Sequence, residues 1–215
     1  MKRALLLSAV LLLAMSSFAD TTINNFTGYN DGWFPFGDPA NATQTYGEIF
    51  TAPNNGDTSL ASFSFYTGDP YYSGNIIAGA YVATWTGTHA GTLLYDSGQF
   101  TYDNAGNEEL TFNTGGLAVT PGAQYIVFLS TTKFHGQSSG ASYVSYGGTN
   151  QYLDGFAYFN NYDFDSLFAN SWDAYGLQPD WAVDLEFNNA PEPGSLLMLT
   201  TGMLGGFGAL RRKLF

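Results

Sequence analysis

Trp181-Ala182-Val183-Asp184-Leu185-Glu186-Phe187-Asn188 places an apolar side chain at every odd position and, from Asp184 on, an acid or amide at every even one. Successive strand residues point to opposite faces, so this period of two describes a half-buried strand with Trp181, Val183, Leu185 and Phe187 turned to a core. Ala61-Ser62-Phe63-Ser64-Phe65 and Leu110-Thr111-Phe112 repeat the alternation. Ile76 to Trp85 and Tyr125 to Leu129 are apolar on both faces, as central strands of a sandwich are. Turn chemistry falls between such runs at Asn54-Asn55-Gly56-Asp57, Thr67-Gly68-Asp69-Pro70, Asn113-Thr114-Gly115-Gly116, Pro121-Gly122 and Gly147-Gly148. No amphipathic helix of convincing length interrupts the pattern. The expected fold is all-β: an antiparallel β-sandwich, jelly-roll-like, of nine or ten short strands.

Composition says what must hold such a sandwich together. The chain has no cysteine, so its stability has to come from a packed interior, and 18 Phe, 15 Tyr and 4 Trp are available to fill one. Charge is divided unevenly. Of the six basic residues only Lys133 lies between the two ends, whereas all 18 acids lie between Asp20 and Glu192, which leaves residues 20–193 with a formal charge of −17. A body of that sign repels phosphate backbones and anionic headgroups, which argues against nucleic acid as a partner.

The other basic residues mark the two termini. Lys2 and Arg3 precede the apolar run Ala4 to Met15, and Ser17-Phe18-Ala19 forms a small-x-small site, so residues 1–19 read as a secretory signal peptide cut after Ala19. At the far end, Gly194 to Leu210 is an uncharged run of 17 residues, about 25 Å as a helix, and is predicted to be a C-terminal transmembrane helix. Arg211, Arg212 and Lys213 follow as a stop-transfer cluster retained on the cytoplasmic side. Both ends therefore predict one topology, with the body (residues 20–189) outside the inner membrane. Gly202 and Gly206 add a GxxxG, a weak sign of a helix-packing face.

Pro191-Glu192-Pro193, the apolar span and the terminal basic cluster, in that order, resemble the PEP-CTERM sorting signal of Gram-negative bacteria. The resemblance covers about 25 residues, 190–215, and implies recognition of Pro191, Glu192 and Pro193 by a membrane-embedded exosortase, removal of the tail, and delivery to the cell surface, often alongside exopolysaccharide. The physical reading agrees: two prolines hold the residues around Glu192 extended and without sheet donors, an accessible strand for a protease. LTPGxxYxxFLS-like stretches such as LAVTPGAQYIVFLS also resemble the bodies of such proteins, without bringing an activity.

Chemistry-bearing residues are sparse. His89 and His135 stand alone in loops, and no nucleophile elbow, HExxH or phosphate-cradling loop is present. Glu108 and Glu109 are adjacent on a strand and so point to opposite faces, which argues against a working carboxylate pair. Asp154-Gly155, Asn160-Asn161-Tyr162-Asp163-Phe164-Asp165 and Asp173 offer hard oxygens, and a structural calcium is placed at Asp163 and Asp165, with solvated Asx turns as the plainer reading. Trp33, Tyr71, Tyr72 and Trp172 lie in turn-rich aromatic stretches that would stack on sugar rings if exposed at one end of the sandwich. The expected function is a non-enzymatic, exported structural or adhesive protein. A carbohydrate-binding module acting on exopolysaccharide is the second reading and a glycan hydrolase the third.

Overall fold

A computed structural model describes residues 20–29, 35–38, 42–175 and 180–188. The predicted signal peptide, Trp33, the sorting triplet, the span 194–210 and the basic cluster lie outside those residues. Among the described residues no helix is long and apolar enough to cross a membrane.

The protein is all-β, as the alternation predicts, and is built on two antiparallel sheets. In chain order the strands are β1 (Thr21–Asn24), β2 (Phe36–Gly37), β3 (Thr45–Thr51), β4 (Ser59–Tyr72), β5 (Ile76–Trp85), β6 (Ala90–Asp96) and β7 (Phe100–Tyr102), then β8 (Glu108–Ala118), β9 (Gln124–Ser130), β10 (Ala141–Val144), β11 (Leu153–Asn160), β12 (Asp173–Tyr175) and β13 (Val183–Asn188). The first sheet runs β1-β13-β4-β10-β2, with β8 along the other edge of β4, and the second runs β12-β11-β3-β9-β5-β6, with β7 also on β5. Asp20–Asn188 forms one compact unit.

Among the described residues thirteen strands form where nine or ten were expected. The surplus comes from pieces such as β1, β2, β7 and β12, two to four residues long and too short to leave a period in the sequence. Two stretches read as turns are strand instead. Thr67-Gly68-Asp69-Pro70 lies inside β4, where β10 pairs with register shifts at Ser142. Asn113-Thr114-Gly115-Gly116 lies inside β8, as an irregularity opposite Leu60 and Ser62. Gly115 and Gly116 adopt φ of 75° and 87°, which a side chain disfavours, and the Thr114 hydroxyl bonds the Leu60 carbonyl and accepts from the Gly116 and Leu117 amides. Turn residues here bend a strand without ending it.

Side-chain alternation sorts the core. Trp181, Val183, Leu185 and Phe187 are all fully buried, and they join Leu60, Phe63 and Phe65 of β4 against Tyr46 and Phe50 of β3 and Val127 and Leu129 of β9. One hydrophobic cluster thus draws on both sheets, which makes the arrangement a sandwich. Its rings meet in tilted and edge contacts, for example Phe50 with Phe187 at 5.7 Å. Strands β5 and β9 read as apolar on both faces because the outer face of their sheet is covered too. Ile49, Tyr81, Ile126 and Phe128 pack under Leu167 and Trp172, carried by a short 3-10 turn (Asp165–Phe168) and the segment after it.

Candidate functional site

Strand β3 alternates Tyr46, Glu48 and Phe50 on one face, and Tyr46 and Phe50 belong to the core between the sheets. The same period places a carboxylate there: Glu48 is fully buried. A buried acid without compensation is costly, so its surroundings matter. One oxygen, Oε2, accepts the Trp181 backbone N–H at 2.8 Å; the other, Oε1, has no hydrogen-bond partner.

Two further carboxylates converge on it. Asp154 stands near the start of β11, opposite β3, where the register slips between Leu153 and Ala157. Gly155 at φ 86° makes this bulge possible, and the bulge re-aims Asp154. Asp154 Oδ1 accepts the Phe156 amide at 3.2 Å and Oδ2 the Tyr158 hydroxyl at 2.7 Å. Asp180 precedes β13 and is 1% exposed, and neither of its side-chain oxygens has a hydrogen-bond partner. Each of the three acids puts an oxygen within 4.8 Å of the others; among the described residues no second group of three or more possible metal-ligating side chains forms.

The corner that carries Asp180 is held firmly. The Trp181 ring stacks on Tyr146 at 4.8 Å and tilts against Tyr46 at 4.4 Å, while its indole N–H donates to the Tyr158 carbonyl at 3.0 Å. Asn25, itself buried, donates from Nδ2 to the Trp181 carbonyl at 3.0 Å and accepts the Val183 amide at 2.8 Å. From the other side the Ala182 amide donates to the Ser145 carbonyl and the Gly147 amide to the Asp180 carbonyl, both at 2.8 Å. The cluster therefore sits on a rigid frame built from β3, β11 and the lead into β13.

Electrostatics follow the geometry. Burial first, then the Asp180 charge, raises Glu48 well above the carboxylate range, against the pull of the Trp181 amide. Burial and the Asp154 charge raise Asp180 to about 6; the Gly155 amide opposes this without a hydrogen bond of normal geometry. Burial also raises Asp154, offset by its bonds from Tyr158 and Phe156. The body's one cation is engaged elsewhere: Lys133 pairs with Asp96 at 2.7 Å and lies over the Phe164 ring at 4.1 Å.

The residues singled out from the sequence fall in other places. Asp163 is exposed, and both its oxygens are taken by Ser166, Oδ1 by the amide at 3.1 Å and Oδ2 by the hydroxyl at 3.0 Å. These bonds lower its pKa, and Asp165 is exposed in the turn they start. Asp163, one of the two acids expected to hold calcium, thus has both oxygens bonded within the turn that contains the other. Trp172 is buried, its ring against Phe128 at 5.4 Å and its N–H on the Leu167 carbonyl, so it presents no open face to a sugar. Tyr71 and Tyr72 are brought together at the end of β4, 40% and 41% exposed, with rings 4.5 Å apart and Tyr143 5.5 Å from Tyr71. His135 faces solvent and contacts Asp38 at 2.7 Å, while His89 turns on Thr86 and Thr88. Glu108 and Glu109 are both exposed.

Sequence reasoning noticed Asp154 as one oxygen donor among several and missed Glu48 and Asp180. A signal for Glu48 existed in Tyr46-Gly47-Glu48-Ile49-Phe50, where an acid takes a core-facing slot between two aromatic residues. Nothing local marks Asp180 as its partner.

No curated protein and no solved structure matches the chain. A family model described as the PEP-CTERM protein-sorting motif matches residues 189–213, the segment containing Pro191, Glu192 and Pro193, the apolar run and the basic cluster. The chain is a bearer of the PEP-CTERM sorting motif: an exported protein sorted at a membrane and processed by an exosortase.

Proposed function

We propose that the protein is a non-enzymatic structural or adhesive component of the cell surface or extracellular matrix. It is exported behind a signal peptide cut after Ala19 and held in the inner membrane by Gly194 to Leu210 with its acidic body outside. Exosortase then cuts it near Pro191-Glu192-Pro193 and delivers it beside exopolysaccharide. The observation that carries this reading is the sorting motif at 189–213 behind a body of formal charge −17. Burial of the carboxylates supports the non-enzymatic part. Glu48 and Asp180 are 0% and 1% exposed, out of reach of a sugar ring that two catalytic acids would have to flank.

Replacing Pro191, Glu192 and Pro193 together by alanine in the native host tests the sorting role. The expected result is full-length protein accumulating in the inner membrane, while the unaltered chain loses about 20 residues from each end by mass measurement. Normal processing of the triple variant sinks the reading.

A carbohydrate-binding role is the second reading, favoured by the exposed pair Tyr71 and Tyr72 with Tyr143 alongside, a small platform for stacking on a sugar face. Binding on a glycan array that disappears in Tyr72→Ala supports it, and an array without signal removes it.

A further inference from the structure

We propose that Glu48, Asp154 and Asp180 form a structural calcium site that clamps the two sheets together at the Trp181 corner. This is independent of the proposed surface role. Three acids meet with an oxygen each inside 4.8 Å, on a frame whose backbone is pinned from both sides. Glu48 Oε1 and both Asp180 oxygens are buried and without a hydrogen-bond partner, and Glu48 and Asp180 each bring an oxygen into the cluster. Buried polar atoms are almost always partnered, so three orphan oxygens in one spot point to a ligand that accepts lone pairs.

A cation suits that spot, because three acids meet there and the chain does not supply the opposite charge. Between residues 20 and 193 the only basic side chain is Lys133, already paired with Asp96 on the outer face of the second sheet. All donors are hard carboxylate oxygens. The chain has no cysteine, and its two histidines stand in the Asp38 and Thr86 contacts described above, which disfavours zinc. Calcium holds oxygens at about 2.3–2.6 Å, so ligands on opposite sides of one ion stand up to about 5 Å apart, which accommodates the observed spread. Magnesium, at about 2.0–2.1 Å, requires the cluster to close further. Three carboxylates supply up to six oxygens when bidentate, and half-buried Asp154 leaves a side open for water or ion entry.

Geometry gives the site a mechanical role. Glu48 and Asp154 belong to the second sheet, and Asp180 leads into β13 of the first. One ion bound by all three joins both layers where the stacked rings of Tyr146 and Trp181 close the core.

The test uses the full-length chain in detergent, stripped with EDTA at pH 7.5, with calcium chloride or magnesium chloride added and Tm measured. At calcium about a hundredfold above its Kd, the expected rise is about 5–10 °C, with a smaller shift for magnesium. Asp180→Asn and Asp154→Asn should each abolish the calcium shift while remaining folded in EDTA, because each removes one negative charge from the cluster. Asp163→Asn, on the exposed turn, should keep the shift in full. No calcium shift in the unaltered chain overturns the proposal, as does a shift that survives in both cluster variants or disappears in Asp163→Asn. An equal shift with magnesium overturns the assignment to calcium.

Discussion

Two acidic regions of this protein solve opposite problems. At the Asp163 turn the carboxylate is exposed, bonds the backbone and side chain three residues on, and is acidified by doing so. At the Trp181 corner Glu48 and Asp180 are buried, keep three unpartnered oxygens between them, and are pushed the other way. Composition alone does not separate them. The first acid is satisfied by neighbours in sequence, and the second is placed by a fold that brings residues 48, 154 and 180 together.

Substitutions sharpen this contrast, beginning with the ring that builds the corner. Trp181→Ala should cost about 3–5 kcal/mol by denaturant unfolding, since it empties a fully buried site between Tyr146 and Tyr46. A loss below about 1 kcal/mol would mean that packing does not set the corner. Asn25→Ala should follow at about 2–3 kcal/mol, because it removes the side chain that bonds both the buried Trp181 carbonyl and the Val183 amide. An unchanged urea midpoint would show that water replaces the amide without penalty.

Asp180→Asn should act with the opposite sign. The folded carboxyl titrates near 6, against 3.8 ordinarily, so folding favours the protonated form. Its stabilising contribution is fully present below about pH 4 and is lost as pH rises through about 6. In EDTA at pH 7.5 the variant should therefore be about 1–2 kcal/mol more stable than the unaltered chain, less than the full shift implies because Asp154 opens the cluster to solvent, with no difference near pH 4. A variant less stable at both pH values refutes this account.

Asp163→Ala should have the smallest effect, a slight fall in Tm that fades on acidification. A carboxylate with lowered pKa stabilises above its ordinary value, and that help is lost as pH falls through the folded pKa. A fall as large as that of Asn25→Ala would erase the distinction between the two regions.

Legibility followed the same division. Strand β13 was readable because its burial repeats with the strand period, β5 and β9 because their apolar runs are buried on both faces, and β5 was delimited to the residue from its run. The glycine-rich stretches of β4 and β8 misled because Gly and Asn serve bulges as well as turns, and only pairing with a neighbouring strand tells the two apart. Trp172 read as a surface aromatic because its flanks are polar, yet it covers Ile126 and Phe128 from outside the sheet. The carboxylate corner was legible only in part, since Glu48 betrays itself by its slot and Asp180 does not.

The sequence by itself determined that the body is all-β and that its tail carries a sorting motif, because both are written in short-range order: a period of two, and a triplet, an apolar run and a basic cluster in succession. Only the tertiary structure decided which acids are solvated and which are buried together. Residues 48, 154 and 180 are linked by strand pairing, a bulge at Gly155 and the stacking of Trp181 on Tyr146, all contacts between residues distant in the chain.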